Sequence, residues 1–406
     1  MSVPVVADLD EAGLLARITP LLPSGRDVLV GPGDDCAVLA APDGRYCVST
    51  DVLVEGRHFR TDWSSGFDVG ARAAAQNLAD IAAMGARPVA LVACLVLPGA
   101  TPVDWVVDLA RGMALRCREA GAAIVGGDLS AGEGLVVAVT VHGDLRGRAP
   151  VLRSGARAGE ALVLAGAPGR AAAGLALLEA GWGRQGTGWD SRSGGARRPD
   201  GGDCAGTGAL AGTDAGTDPA ASAETGAFGA DPAASAGADA VLALAEACAA
   251  AFRAPRPPLE AGPALAEIGA SAMMDVSDSL VRDCGRIALA SGVVIDIDDP
   301  DDDCAALAAD RAQLEGVAAL VPGTRGAARG AEDGARLDPR GTARNWVLTG
   351  GEDHGVLATV PADAVRSLPK GARVIGRVRR AGGEGPCVLV GARPWSGARG
   401  WDHFRA

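Results

Sequence analysis

Two α/β or α+β domains in tandem are what this sequence predicts, on three observations. The chain has 406 residues, 48% of them hydrophobic, enough for more than one buried core. Apolar strand-like runs alternate with alanine-rich helical patterns, and the alternation restarts after Gly159. Between residues 183 and 237 the sequence turns to Gly, Ala, Asp, Ser and Thr with almost no large apolar side chain, too little to offset the entropy of ordering it. That segment is expected to be a disordered insertion. The expected domains are residues 1–150 and 151–406, with the insertion inside the second.

In the first region, residues 46–54 form an apolar run that ends in polar residues and predict a strand. Residues 68–84 follow with helical spacing and a stop at Gly85, then 89–97 as a second buried strand. Thr101, Pro102 and Asp104 supply an N-cap, a proline at the first helical position and an acid in the first turn. They open a helix that runs to Ala120 and stops at Gly121. Strands at 123–125 and 135–142 complete the set. In the second region a strand at 161–165, a Gly-Ala-Pro-Gly-Arg turn and a helix from Ala171 precede the insertion. Beyond it come more helix and strands near 272–274, 293–297, 346–348 and 373–378, with a second Ala/Gly/Asp-rich patch at 300–344.

Charge and composition exclude several functions. The net charge of −12 argues against a nucleic-acid groove, which needs a basic stripe. Lysine occurs once, at Lys370, so a Walker-type phosphate loop and a Schiff-base lysine are excluded. Arginine, backbone amides or metals must then hold any phosphate; the bias toward Ala, Gly and Arg also fits a GC-rich genome. The nine cysteines stand singly, without a CxxC pair, and suggest neither zinc nor a disulfide framework. The acidic N-terminus and the lack of an apolar run near ~18 residues predict a soluble, cytoplasmic protein.

The chemistry lies in small acidic motifs expected at the ends of the predicted strands, where ligands of α/β folds usually bind. They are Gly31 to Asp35 (GPGDD), Ser49-Thr50-Asp51, Asn77 to Asp80 (NLAD), Gly126-Gly127-Asp128, Asp275 to Asp278 (DVSD) and Gly350 to Asp353 (GGED). Asn77 and Asp80, three apart on a helix, share a face. Any one Gly-Asp pair reads as a turn. Six sets embedded in apolar sequence read differently, because buried carboxylates are costly unless paired or coordinated. Oxygen donors without His or Cys select a hard cation such as Mg²⁺. The acidic run 298–303 is expected to be a solvated loop without function.

The stretches GPGDDCAVL, STDVLVEGRHF, NLADIAAMGARP, GGDLS, MDVSDSL, TGGEDHGV and the terminal WDHF occur in the order and approximate spacing of the thiamine-monophosphate kinase family. The chain resembles that family, within the superfamily of aminoimidazole ribonucleotide synthetase and selenophosphate synthetase, over roughly residues 10–180 and 240–404. The resemblance implies an N-terminal mixed-sheet domain that pairs across a homodimer, a C-terminal α/β domain and a cleft between them. It implies Mg²⁺ held by Asp35, Ser49, Thr50, Asp51, Asp80, Asp128, Asp275 and Asp278. ATP would meet Gly127, Asp128, Arg153 and Ser277, and thiamine monophosphate would meet His58, Glu352 and Trp401. Ser279 stands where the family usually has glycine, and His354 where many members have tyrosine. His58 also reads as a packed surface histidine, and Trp401 as either a ring-stacking partner or a tail anchor.

The implied reaction is the last step of thiamine diphosphate biosynthesis, direct in-line transfer of the γ-phosphate. The nucleophile is a phosphate oxygen, already anionic near neutral pH, so no general base is required. Positioning and charge neutralisation carry such a transfer, and Arg153 is the expected fixed cation. The rival readings are an ATP-dependent ligase or synthetase of the same superfamily and a non-catalytic nucleotide- or metal-binding module.

Overall fold

The computed structural model describes residues 4–9, 11–30, 38–183, 189–190, 195–196, 232–321, 338–383, 385–397 and 400. After α1 (Glu11–Ile18) and a short antiparallel pair, β1 (Val28–Val30) and β2 (Val38–Leu39), the chain builds a four-stranded sheet. Its strands are β3 (Cys47–Val54), β4 (Arg87–Leu97), β5 (Ala123–Ala131) and β6 (Val136–Asp144), in the order β3-β6-β4-β5. Only the β4–β5 pair is parallel.

Two helices, α2 (Gly66–Ala83) and α3 (Val103–Ala120), cover one face of this sheet. Leu78, Ile81, Leu109 and Met113 meet Leu53, Leu91 and Val139 in a continuous core. The helices touch backbone to backbone: a Cβ on Gly70 would lie 1.9 Å from the Leu109 carbonyl oxygen, and one on Gly112 would lie 2.0 Å from that of Phe67. The opposite face is covered at one end, where Val28 and Leu39 pack with Ala90, Val92 and Ala123, and is open over β3. Val48 is 59% and Val52 46% exposed there.

The second sheet has seven strands in the order β10-β12-β7-β13-β11-β14-β15. They are β7 (Ala161–Ala165), β10 (Ala272–Val276), β11 (Val293–Ile297), β12 (Gly355–Val360), β13 (Ala372–Arg380), β14 (Cys387–Val390) and β15 (Arg393–Pro394); β8 (Trp189–Asp190) and β9 (Gly195–Ala196) pair separately. The helices α4 (Arg170–Glu179), α5 (Pro232–Arg253), α6 (Ala261–Glu267), α7 (Leu280–Ser291), α8 (Ala308–Leu320) and α9 (Pro339–Thr349) complete the set. Leu177, Cys248, Ile287, Leu314 and Trp346 fill one face of the sheet. Leu265 of α6 packs with Met273 and Val356 in a separate cluster. The α2 helix lies between the two halves, in contact with β3, β4 and β6 on one side and with β10, β12, α5 and α6 on the other. A Cβ on Gly262 would sit 1.9 Å from the Ala82 carbonyl oxygen, so α6 also meets α2 at backbone distance.

Several expectations need correction. Residues 346–348 lie in α9, not a strand; Asp338 caps that helix, accepting from Gly341 N at 2.7 Å, with Pro339 in the first turn. The α5 helix begins at Pro232, inside the segment expected to be insertion. Pro102, not Thr101, is the N-cap of α3, and the Thr101 hydroxyl donates to the Pro98 carbonyl. The 298–303 run is ion-paired rather than merely solvated. Asp299 meets Arg344 at 3.2 Å and Asp301 meets Arg340 at 3.1 Å. Among the described residues no helix is long and apolar enough to cross a membrane.

Candidate active site

Strand alternation sorts the STD motif onto two faces. Ser49 and Asp51 share the inner side of β3 with buried Leu53, while Val48, Thr50 and Val52 face outward. On α2, Arg72, Gln76 and Asp80 are spaced by four and form one stripe. The Ser49 hydroxyl donates to Asp80 Oδ2 at 2.6 Å, and the Gln76 side chain stands by Asp51 and favours its charged form. Asp275 reaches the same place from β10, only 6% exposed.

The electrostatics report this convergence. Burial first, then the charges of Asp275 and Asp51, push the Asp80 carboxyl up to about 7. Burial likewise raises Asp51; His354 counters it, and Asp275 and Glu352 add to it. Such mutual repulsion is what a divalent cation relieves. Among the described residues no three His, Cys, Asp or Glu side chains already converge on a single ion position. The donors gathered there are oxygens, the ligand type that suits a hard cation such as Mg²⁺. Asn77, expected to aim with Asp80, instead donates to the Ala73 carbonyl at 2.8 Å, and its buried Oδ1 has no partner among the described residues.

A second cluster is the loop between β10 and α7. Asp283 Oδ2 accepts from the backbone N–H of Ser277, Asp278 and Ser279 at 3.1, 3.1 and 3.2 Å. Its Oδ1 takes Arg286 at 2.6 Å. Arg286 also bonds Asp278, and Arg282 stands 3.8 Å from that carboxylate. Ser279 caps α7, accepting from Arg282 N at 3.1 Å, which gives a physical use for serine where glycine was the expectation. The Gly350-to-His354 loop fastens onto this one, with Glu352 N and His354 N donating to Ser277 O and Val276 O at 2.8 and 2.9 Å. Gly400 also abuts it: an added Cβ would fall 2.5 Å from the Asp278 carbonyl oxygen.

The acceptor side is built on that loop. Glu352 and His354 adopt left-handed backbone, φ 69° and 50°, unusual for residues with a side chain. Arg72 Nη2 bonds Glu352 Oε2 at 2.7 Å. His354 places Nδ1 3.5 Å from Asp275 Oδ2 and Nε2 3.5 Å from Glu352 Oε2. Both distances are too long for good hydrogen bonds, so His354 acts there as a charge. Burial disfavours that charge, but Asp275 and Glu352 outweigh it and raise the imidazole to about 10. Burial opposes ionisation of Glu352 too, yet Arg72, His354 and His58 hold its carboxyl well below the ordinary range. His58 Nδ1 accepts from Val54 N at 3.0 Å, which leaves the proton of a neutral ring on Nε2.

Of the residues expected to form the site, Ser49, Asp51, Asp80, Asp275, Asp278, Ser277, His58 and Glu352 line or adjoin these two clusters. Thr50 does not join them: its hydroxyl donates outward to the Val139 carbonyl at 3.0 Å. Asp128 shares that outer face, because Val52, Ala138, Cys94 and Asp128 stand in one row across the sheet. Gly126 to Asp128 lie inside β5 rather than at its end, beside a cavity of about 1040 Å³ lined in part by Ile18, Leu39, Val92 and Met113. Gly127 has no room for a side chain, since a Cβ would lie 1.9 Å from the Ala93 carbonyl oxygen. Arg153 is remote from Ser277. Its carbonyl accepts from Ser291 at the far end of α7, about 17 Å away at a helical rise of ~1.5 Å per residue. Asp35 and Trp401 lie outside the described residues. Arg72, Gln76 and Asp283 were not expected; only the Ser279–Asp283 spacing, a cap four residues before an acid, hinted at one of them.

The model of the AIR synthase related protein N-terminal domain matches residues 33–145. A thiamine-monophosphate kinase of Mycobacterium tuberculosis (strain H37Rv) is 39% identical over 402 residues, 99% of this chain and 93% of the relative. The chain belongs to the thiamine-monophosphate kinase family. Its fold agrees with that membership. The crystal structure of the Stenotrophomonas maltophilia K279a thiamine-monophosphate kinase superposes with a TM-score of 0.62 at 25% identity, covering 94% of this chain and 95% of that one. AaThiL complexed with AMPPCP and TMP superposes with a TM-score of 0.61 at 23% identity, covering 88% and 87%, a likeness of fold. The acidic cluster described above is thus the candidate active site of a thiamine-monophosphate kinase family member.

Proposed function

We infer that the chain transfers the γ-phosphate of ATP to the phosphate of thiamine monophosphate, giving thiamine diphosphate and ADP. The observation that carries this reading, beside the full-length family relation, is the meeting of Asp51, Asp80 and Asp275 from both halves of the molecule next to the anionic Glu352. One cluster is suited to neutralising polyphosphate through a divalent cation; the other is suited to a cationic or hydrogen-bond-donating ring.

In the reaction an oxygen of the acceptor phosphate attacks Pγ in line, a new P–O–P link forms, and the bond to the β-bridging oxygen breaks with ADP as leaving group. The acceptor oxygen carries its own negative charge, so the site has to orient and not to deprotonate. Mg²⁺ is assigned to Asp51, Asp80, Asp275 and Asp278, with Ser49 orienting Asp80. When bound, it would screen the charge of the two phosphate groups and polarise the transferred one. Ser277 is assigned to the nucleotide; Gly127 and Asp128 are left out, Asp128 because it shares the outer face with Thr50 and Gly127 because the Ala93 carbonyl occupies its side-chain position. His58 and Glu352 are assigned to thiamine monophosphate. Thr50 and Arg153 are left out of these assignments because of where their side chain and backbone lie. The open apolar face at Val48 and Val52 supports a homodimer built through the first sheet. An enzyme using ATP and a phosphorylated vitamin precursor fits the cytoplasm.

The test is a coupled assay with ATP, Mg²⁺ and thiamine monophosphate that follows thiamine diphosphate and ADP, with Asp51→Ala and a chelator as controls. Stoichiometric products lost in both controls are expected. A protein that binds ATP and Mg²⁺ yet makes no thiamine diphosphate would overturn the substrate assignment and favour a ligase of the same superfamily.

A further inference from the structure

We propose that Arg72 is a positioning residue for the acceptor, fixing the Glu352 carboxylate from behind so that it meets the thiamine ring system as an oriented anion. This rests on the reading of the site as a thiamine-monophosphate kinase and deepens it. Arg72 sits mid-α2 with its side chain 2% exposed. Its Nη2 bonds Glu352 Oε2 at 2.7 Å, its Nη1 bonds the Phe252 carbonyl at 3.0 Å, and its guanidinium lies 4.6 Å from the Phe252 ring centroid. One side chain of the first half thus grips two segments of the second, 180 and 280 residues away in sequence.

A buried arginine of this kind could be a plain clamp between halves. Three observations point beyond that. Glu352 is not sealed in: 32% of its side chain remains exposed beside an Arg72 that is almost wholly covered. Among the described residues the two cations beside it, Arg72 and His354, both face Oε2, and neither takes Oε1. The carboxylate is also carried on left-handed backbone at φ 69°, a conformation kept only where the surroundings over-determine it. A fixed, partly exposed carboxylate recognises a cation or an N–H donor and repels polyphosphate. Thiamine offers both, a thiazolium charge and an aminopyrimidine, whereas adenine offers an amino group but no fixed positive charge. Arg72 should therefore act on the acceptor and not on ATP.

The experiment measures KM for thiamine monophosphate, KM for ATP and kcat in the wild type, Arg72→Met, Glu352→Gln and the double variant. Wild-type turnover first establishes the functional reading; no product there would remove that reading and this inference together. With turnover present, Arg72→Met is expected to raise the acceptor KM on the order of 10- to 100-fold and to leave the ATP KM within about 2-fold. In the Glu352→Gln background the same change should add less than about 2-fold, because both substitutions remove one interaction. Phe252→Leu, which removes the stacking and keeps the ion pair, should leave the acceptor KM unchanged. If Arg72→Met does not fold, Arg72→Lys replaces it in the cycle, with a smaller rise that also vanishes beside Glu352→Gln. Losses that multiply in the double variant, or equal rises in both KM values, would show a clamp only and overturn the proposal.

Discussion

Replacing Asp283 with alanine removes the acceptor that gathers the loop between β10 and α7. Three backbone N–H groups share its Oδ2 at 3.1, 3.1 and 3.2 Å, and Arg286 holds Oδ1 at 2.6 Å. Ser279 is wholly buried, so its orphaned N–H costs about 1–3 kcal/mol. Ser277 and Asp278 are half-buried, and water can replace most of what they lose. Arg286 keeps Asp278 as a partner, so no charge is stranded. Burial pushes the Asp283 carboxyl up to about 6, a cost the alanine relieves. The balance is a loss of about 2–4 kcal/mol. Asparagine can leave its oxygen on the three N–H groups but turns its amide toward Arg286, donor against donor, for a loss of about 1–2 kcal/mol. Urea unfolding without ligands measures both, and the Mg²⁺ requirement for turnover should rise in the same order because the loop carries Asp278. An alanine variant within about 0.5 kcal/mol of the wild type, with unchanged Mg²⁺ dependence, would refute the reasoning and leave the loop to its own backbone.

Three other outcomes are expected. Asp80 has a folded value of about 7 against an ordinary 3.8, so the metal-free fold holds the extra proton and loses stability as pH climbs from about 4 to 7, with the full cost above. His354, raised to about 10, contributes stability that is complete below about 6.5 and is lost as pH rises from there through about 10, the same sign. The melting temperature in chelator should therefore be lower near pH 8 than near pH 5.5, and Mg²⁺ should narrow the gap; a flat profile would refute the repulsion. Asp353→Asn should cost about 1–3 kcal/mol by thermal or urea unfolding, since Oδ2 and Oδ1 accept from Gly169 N and Ala171 N at 2.6 and 2.7 Å and an amide has only one acceptor. Gly70→Ala should cost about 3 kcal/mol or more, because its methyl meets a carbonyl that neither helix can withdraw; a wild-type melting temperature would mean that α2 and α3 slide apart freely.

The readable parts of the sequence were those whose signals are local. The 18-residue α2 and α3 announce themselves by period and by the glycines that stop them, Gly85 and Gly121, while the Ser65 cap that starts α2 two residues before the expected position went unread. Strands at 161–165 and 293–297 stand where their apolar runs place them. Trp346 to Leu348 misled because three apolar residues carry no period, and the cap that makes them helical lies upstream in a stretch read as loop. β12 was missed altogether, its buried residues following directly on a motif that drew attention to chemistry. In the site, the acids were legible as a recurring type, but their faces were not: Asp51 and Thr50 are neighbours in sequence and opposite in space. Arg72 was invisible because its partners are contributed by residues 252 and 352, and nothing in an alanine-rich helix marks one arginine as structural. The 298–303 acids looked solvated for the converse reason, since Arg340 and Arg344 approach them only through the packing of α9.

The stripe of Arg72, Gln76 and Asp80 makes α2 a ruler as well as a wall. Arg72 sets the acceptor end and Asp80 the phosphate end, and their separation is the length of two helical turns, about 12 Å at ~1.5 Å per residue. A one-residue deletion between them would turn one end by about 100° relative to the other, with glycine contacts on two sides preventing compensation. Such a change would uncouple the two halves of the reaction while leaving each half-site chemically whole. Length variation in this family is therefore expected outside α2 rather than within it.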